Sequence, residues 1–112
     1  MKIAIPTLEG KLATHFGHCE KFAIIDIDVD GKKIIKREDL TPPPHEPGVL
    51  SRWLGEQGVT HIIAGGMGAH AHNLFTEQKI EVVIGAEIEL PELLVNKLLS
   101  GDLKSGQNSC DH

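Results

Sequence analysis

The stretch Ile62-Ile63-Ala64-Gly65-Gly66-Met67-Gly68-Ala69-His70-Ala71-His72 decides how this chain is read. It opens as a buried strand, turns through glycines, and runs into a helix whose first turn carries two histidines. A strand, turn and helix in this order form half of a β-α-β crossover, which implies parallel strands in a layered α/β fold. The same junction leaves the first amides of the helix pointing outward, with the positive end of the helix dipole behind them. Such a helix start is receptive to anions.

Outward from this junction, the pattern is regular. Lys2-Ile3-Ala4-Ile5 is an apolar run that Pro6 stops, as expected of a central strand covered on both faces. Thr7 to Lys21 lacks a sustained period and reads as a long irregular segment. Phe22 to Val29 is a second strand, Asp30-Gly31 a hairpin turn, and Lys32 to Asp39 a returning strand whose basic residues suit a sheet edge. After the stiff loop Thr41 to Gly48, Leu50, Trp53, Leu54 and Gln57 follow at helical spacing, and Gly58 ends the helix. Thr60 to Ala64 is the fourth strand. The helix after the glycines presents Ala71, Leu74, Phe75 and Gln78 on one face. Glu81 to Ile84 is the fifth strand, closed by Gly85. Pro91 opens a last helix with Leu94, Val95, Leu98 and Leu99 as its stripe, and Gly101 ends it.

Right-handed crossovers then predict one α/β domain over residues 1–101, followed by a flexible polar tail over 102–112. The expected core is a five-stranded mixed sheet in the order 3-2-1-4-5, counted along the chain, with strand 2 antiparallel and helices on both faces. That sheet order is similar to the ribonuclease H-like three-layer architecture. The first and fourth strands become neighbours whose connections leave in opposite directions. In open α/β sheets the ligand crevice lies at such a switch point, beyond the carboxyl ends of the strands. Two histidine-bearing segments are expected there: Pro6 to Glu20 and Gly65 to His72.

Composition narrows the function. The 112 residues, 40% of them apolar, are enough for one packed core without disulfides or a structural metal. A net charge of −5 and the lack of a long basic run argue against nucleic acid as a partner. No apolar run approaches the roughly 20 residues needed to cross a bilayer, and no signal peptide precedes the first strand, so a cytoplasmic protein without a membrane partner is expected. The two cysteines make no C-x-x-C pair.

The candidate chemistry lies in the histidines. His15, His18 and Cys19 offer imidazole and thiolate donors in one loop, a set suited to iron, zinc, copper or an iron–sulfur species. His70 and His72 stand about 200° apart on an ideal helix, so one is expected to serve as ligand or hydrogen-bond donor and the other to sit at the surface. His45 precedes a helix beside Glu46, His61 lies at a strand start and reads as structural, and Cys110 with His112 forms a C-x-H tail. Hydrolytic motifs are missing: there is no G-x-S-x-G, the Gly65 to Gly68 turn is not a phosphate loop, and Ile3-Ala4-Ile5 brings no carboxylates for a two-metal nuclease. The chain is therefore expected not to be an enzyme.

With these residues in hand, the chain resembles the dinitrogenase iron–molybdenum cofactor-binding family, the NifX/NafY-type domains. The resemblance is carried by Lys2-Ile3-Ala4-Ile5-Pro6, by His15-Phe16-Gly17-His18-Cys19 with Phe22, by His45-Glu46-Pro47-Gly48, by Ile63-Ala64-Gly65-Gly66-Met67-Gly68, and by Gly85. It implies a ribonuclease H-like fold that binds or carries an iron–sulfur or iron–molybdenum metallocluster for cofactor synthesis, storage or delivery. A protein that donates or accepts the cluster would be its partner. By similarity, Gly65, Gly66, Met67, Gly68 and His70 would dock the cluster, with His15, His18, Cys19, His70 and His72 as metal ligands. Members often carry a basic residue soon after Gly-Met-Gly, where this chain has His70. Two other readings are a regulatory or interaction module that binds a small anion or partner at the Gly65–Gly68 helix start, and a hydrolase with a single metal.

Overall fold

The computed structural model describes residues 1–12, 20–28, 30, 33–42, 49–66, 68–84 and 89–100. Its strands are β1 (Lys2–Leu8), β2 (Lys11–Leu12), β3 (Lys21–Asp28), β4 (Lys33–Leu40), β5 (His61–Ile63) and β6 (Glu81–Val83). Its helices are α1 (Val49–Glu56), α2 (Ala69–Glu77) and α3 (Pro91–Ser100). The sheet runs β4-β3-β1-β5-β6, with β2 paired to β1 off that path. Strand β1 is antiparallel to β3 and parallel to β5, and β5 is parallel to β6.

Period-two alternation along the buried strands sorts side chains into two cores. Ala4, Phe22, Ile24 and Ile62 pack with Leu50 and Leu54 of α1 and Phe75 of α2. Ile3, Ile5, Ala23, Ile25 and Ile63 face the other way, onto Leu94 and Val95 of α3. The sheet is thus sandwiched between two helices on one face and one on the other. Phe22 and Trp53 meet edge to face, with centroids 5.9 Å apart. The helical stripes behave as their spacing predicts, except that Gln78 is the exposed C-cap of α2 and not part of its buried face.

Two expectations need correction. Pro6 does not stop the first strand: β1 continues to Leu8, with Pro6 opposite Phe22. Proline is excluded where it must donate to a ladder, and the parallel pairing with β5 covers only Ile3 and Ala4. The segment from Thr7 is also not wholly irregular. Glu9 and Gly10 both adopt positive φ, at 54° and 84°, and turn the chain into β2, so Thr7 faces Leu12 and Leu8 faces Lys11. Two positive φ values in a two-residue loop are the backbone of a type I′ hairpin.

Strand β4 forms an edge, as its charge predicts. A register shift between Asp26 and Ile27 leaves Ile35 without an opposite residue and 65% exposed. Arg37 is bound by Asp39 and by Glu92 at the start of α3, tying the edge strand to the helix layer. Burial alone would weaken its charge, but the hydrogen bonds to the two carboxylates outweigh it and hold the guanidinium charged. The expected tail over 102–112, with Cys110 and His112, lies outside the described residues, as does the His45 loop.

Two substitutions test this fold. Phe75→Ala empties a fully buried position of one core and should cost about 3–5 kcal/mol in urea unfolding. Gly10→Ala adds a Cβ that meets nothing within 4 Å, at φ +84°. It should therefore cost about 1–2 kcal/mol through backbone strain alone. A neutral Gly10→Ala would show that the Glu9–Gly10 turn is not held in this conformation.

Candidate functional site

The site follows from how three strands share β1. A strand has two edges. Strand β3 occupies one of them from Lys2 to Thr7. The other edge is divided: β5 pairs with Ile3 and Ala4, and β2 pairs with Thr7 and Leu8. Carried on in step, the β1–β5 register would set Gly65 and Gly66 opposite Thr7 and Leu8. Those places are taken by Leu12 and Lys11. The chain of β5 must therefore leave the sheet as it reaches Gly65, beside the end of β2. Ala64 still holds the sheet, donating its amide to the Val83 carbonyl at 2.8 Å.

The departing chain starts α2 at Ala69. Gly68 is its N-cap, in an extended conformation at φ −66° and ψ 156°, and contributes no side-chain cap. The first turn has no acidic residue. The first helical bond runs from the His72 amide to the Gly68 carbonyl at 3.0 Å. The amides before it thus stand at a helix start where, among the described residues, neither an N-cap side chain nor a first-turn carboxylate competes with a bound anion.

The second expected segment is anchored at the same place. Leu12 lies opposite Thr7, and the Glu20 amide donates to the Thr7 carbonyl at 2.7 Å. Both residues flanking the segment 13–19 are therefore held at the carboxyl end of β1, next to the carboxyl end of β5. His15, His18 and Cys19 themselves lie outside the described residues, as does Met67. Glu20 also accepts the Glu9 amide through Oε1 at 2.8 Å, which fastens the base of the hairpin. The Leu12 amide donates to the Glu89 carbonyl at 3.0 Å, which brings the approach to α3 against β2.

The histidines of α2 separate as helix geometry requires. His70 is exposed near the helix start. His72 is half-buried and lines a groove of about 370 Å³ with Thr76, Lys79, Ile80 and β6, on the side of β5 away from β1. Among the described residues, no group of three or more His, Cys, Asp or Glu converges on a metal position.

His61 belongs to the other end of the sheet. Its Nδ1 lies 2.8 Å from Thr60 Oγ1, and its Nε2 lies 3.1 Å from Glu81 Oε2. Thr60 Oγ1 also accepts the Lys2 amide at 3.1 Å, and Lys2 Nζ donates to the Gln57 carbonyl at 2.9 Å. This polar row joins β1, β5 and β6 at their amino ends. Sequence reading took His61 as structural but did not identify these partners, because they depend on strand register.

Known proteins are similar to this chain in sequence or in fold. The sequence model described as "Dinitrogenase iron-molybdenum cofactor" matches residues 1–101. The uncharacterized protein MJ0580 of Methanocaldococcus jannaschii is 36% identical over 86 residues, covering 73% of this chain and 72% of its own. Among solved structures, PH0822 superposes with a TM-score of 0.83 at 25% identity, over 95% of this chain and 96% of its own. The protein MJ0327 of Methanocaldococcus jannaschii gives 0.78 at 19% identity, over 96% of each chain. The apo form of the orange protein from Desulfovibrio gigas gives 0.76 at 19% identity, over 96% of this chain and 93% of its own. The last two share the fold, an α/β domain with a mixed sheet. No described helix is long and apolar enough to cross a membrane. On the match over residues 1–101, the chain belongs to the dinitrogenase iron–molybdenum cofactor family.

Proposed function

We propose that this protein binds and carries an anionic iron–sulfur or iron–molybdenum metallocluster, without catalysing a reaction on it, between a donor and an acceptor protein of the cytoplasm. The observation that carries the reading is the shared carboxyl end of β1 and β5. There the uncapped start of α2 stands beside the anchors of the segment that holds His15, His18 and Cys19. Membership of a family described by the iron–molybdenum cofactor gives the cargo its chemical class.

The residues suit such a cargo. A cluster of this kind is large, soft and negatively charged. The amides at Gly65 to Gly68 and the start of α2 would face its negative charge, Met67 included. His15, His18 and Cys19 would supply imidazole and thiolate ligands. His70, exposed at the helix start, would donate to the cargo or ligate it. His72, turned toward β6, would take part only if the first turn rearranged. A small number of ligands also permits release, which a closed four-cysteine site would oppose.

An uncapped helix start would serve a small oxyanion equally well. A regulatory module that senses such an anion is therefore the second reading.

Anaerobic reconstitution with iron, sulfide and molybdate should give visible absorption above the apo-protein and move the histidine NMR signals. Their absence would sink the carrier reading. Shifts at Gly65 to Ala69 with molybdate alone, without cluster uptake, would favour the sensor. Gly68→Asp is the sharper probe. The cap conformation accepts a side chain, and nothing lies within 4 Å of the added Cβ. The carboxylate should cap α2, raising stability by about a few tenths of a kcal/mol, while cluster uptake is lost. Uptake that survives Gly68→Asp would remove the helix start from the site.

A further inference from the structure

We propose that the open edge of β4 pairs antiparallel with β4 of a second copy of this chain, about a two-fold axis at Arg37. Among the described strands β4 ends the sheet, and Lys36, Glu38 and Asp39 are exposed along it. Charge on an edge ordinarily keeps other strands away, but here its order is self-complementary. Glu38 is opposite Ile24, which belongs to the core beneath α1 and α2. Arg37 and Asp39 are opposite Ile25 and Ala23 of the α3 core. Opposite residues share a face and neighbours alternate, so Lys36 and Glu38 stand on one face of the edge and Arg37 and Asp39 on the other. Each face thus carries a cation and then an anion in chain order. A second copy laid antiparallel reverses that order and brings cation beside anion on both faces. Laid parallel in the same register, it would set like charges together.

The backbone fixes the register. The Met1 amino group donates to the Ile27 carbonyl at 3.5 Å, and the Ile27 amide donates to the Met1 carbonyl at 2.8 Å. Hydrogen-bonded and non-hydrogen-bonded pairs alternate along an antiparallel ladder. Counted back from Ile27, Ile25 and Ala23 turn their backbone to β1, while Asp26, Ile24 and Phe22 turn theirs to β4. Lys36, Glu38 and Leu40 meet those bonds, so Arg37 and Asp39 present amide and carbonyl to the open edge. A two-fold axis normal to the sheet keeps each face continuous, and it can pass at Arg37 or at Glu38. At Glu38, two carboxylates would form the close, non-hydrogen-bonded pair, with Cα atoms about 4.5 Å apart. At Arg37, the like-charged pair is the wider one, about 5.5 Å apart, and each guanidinium is already held by Asp39 and Glu92. The close pairs are then Lys36 with Glu38 of the second copy, formed twice. Lys36 also pairs with Glu38 of its own chain, so the four groups alternate in sign across the seam. The register shift beside Ile35 limits regular pairing to a few residues, which makes the dimer a weak one.

Sedimentation velocity at low salt, from micromolar to millimolar chain, tests this on wild type, Lys36→Glu, Glu38→Lys, an equimolar mixture of those two variants, and Lys11→Glu. Both edge residues are exposed, and circular dichroism checks that each variant keeps the fold. Lys11 lies on β2, away from β4, so Lys11→Glu makes the same change in net charge as Lys36→Glu but off the seam. Wild type should form a dimer as concentration rises. Lys36→Glu and Glu38→Lys alone should each weaken it about tenfold or more, because like charges then meet at both close pairs. The mixture should associate about as well as wild type, since each introduced charge faces its opposite in the other variant. Lys11→Glu should stay within about threefold of wild type. A wild type that stays monomeric throughout would overturn the proposal. So would a dimer that ignores both edge variants, which would place the contact on another surface, or a mixture that associates no better than its components.

Discussion

Strand β1 has two edges and three partners, and the rest of the structure follows from that constraint. Because β3 fills one edge, β5 and β2 must divide the other. Each backbone group on that edge can be satisfied by one neighbour or the other but not both. The hairpin that makes β2 therefore sets the point at which β5 has to leave. The glycines at 65 and 66 stand at this exit, where the chain changes from sheet to helix. The junction at the switch point is set by competition for hydrogen bonds, and helix α2 begins beyond it.

Much of the fold was legible in the sequence because it rests on local periodicity. The apolar runs of β1, β3 and β5 and the stripes of α1 and α3 appear where hydrophobic spacing puts them, with Leu54, Leu94 and Val95 buried as their helical positions require. The β2 hairpin was not legible for two reasons. Glu9-Gly10 lacks the Asn or Asp that usually marks a type I′ turn, and Pro6 disguised the continuation of β1. Both signals are local, and both were overruled by pairing with residues distant in the chain. The proline is tolerated because the parallel ladder ends before it.

The candidate site was legible in part for the same reason. A glycine turn before a helix announces itself, and the divergence of His70 and His72 follows from 3.6 residues per turn. What a single sequence could not convey is which strands share an edge, since register is a tertiary property. The place of Lys11 on β2 is hidden at that level, because a lysine in an irregular loop and a lysine on a shared strand edge look alike. His61 shows the converse. It was read as structural, and its contacts with Thr60 and Glu81 belong to a row of polar groups that only the assembled sheet creates.

That row has a geometric consequence for the opposite end of the molecule. Lys2, Thr60, His61 and Glu81 bind side chain to backbone and side chain to side chain across β1, β5 and β6, at the level where those strands begin. They act as a datum. The height at which each strand leaves the sheet is counted from it in whole residues of about 3.3 Å. A slip of one residue would shift the exit of β5 along the sheet and invert every face beyond it. Such a slip would have to break this row as well as the ladder. The placement of backbone donors at the carboxyl end is thus measured off from polar contacts at the amino end.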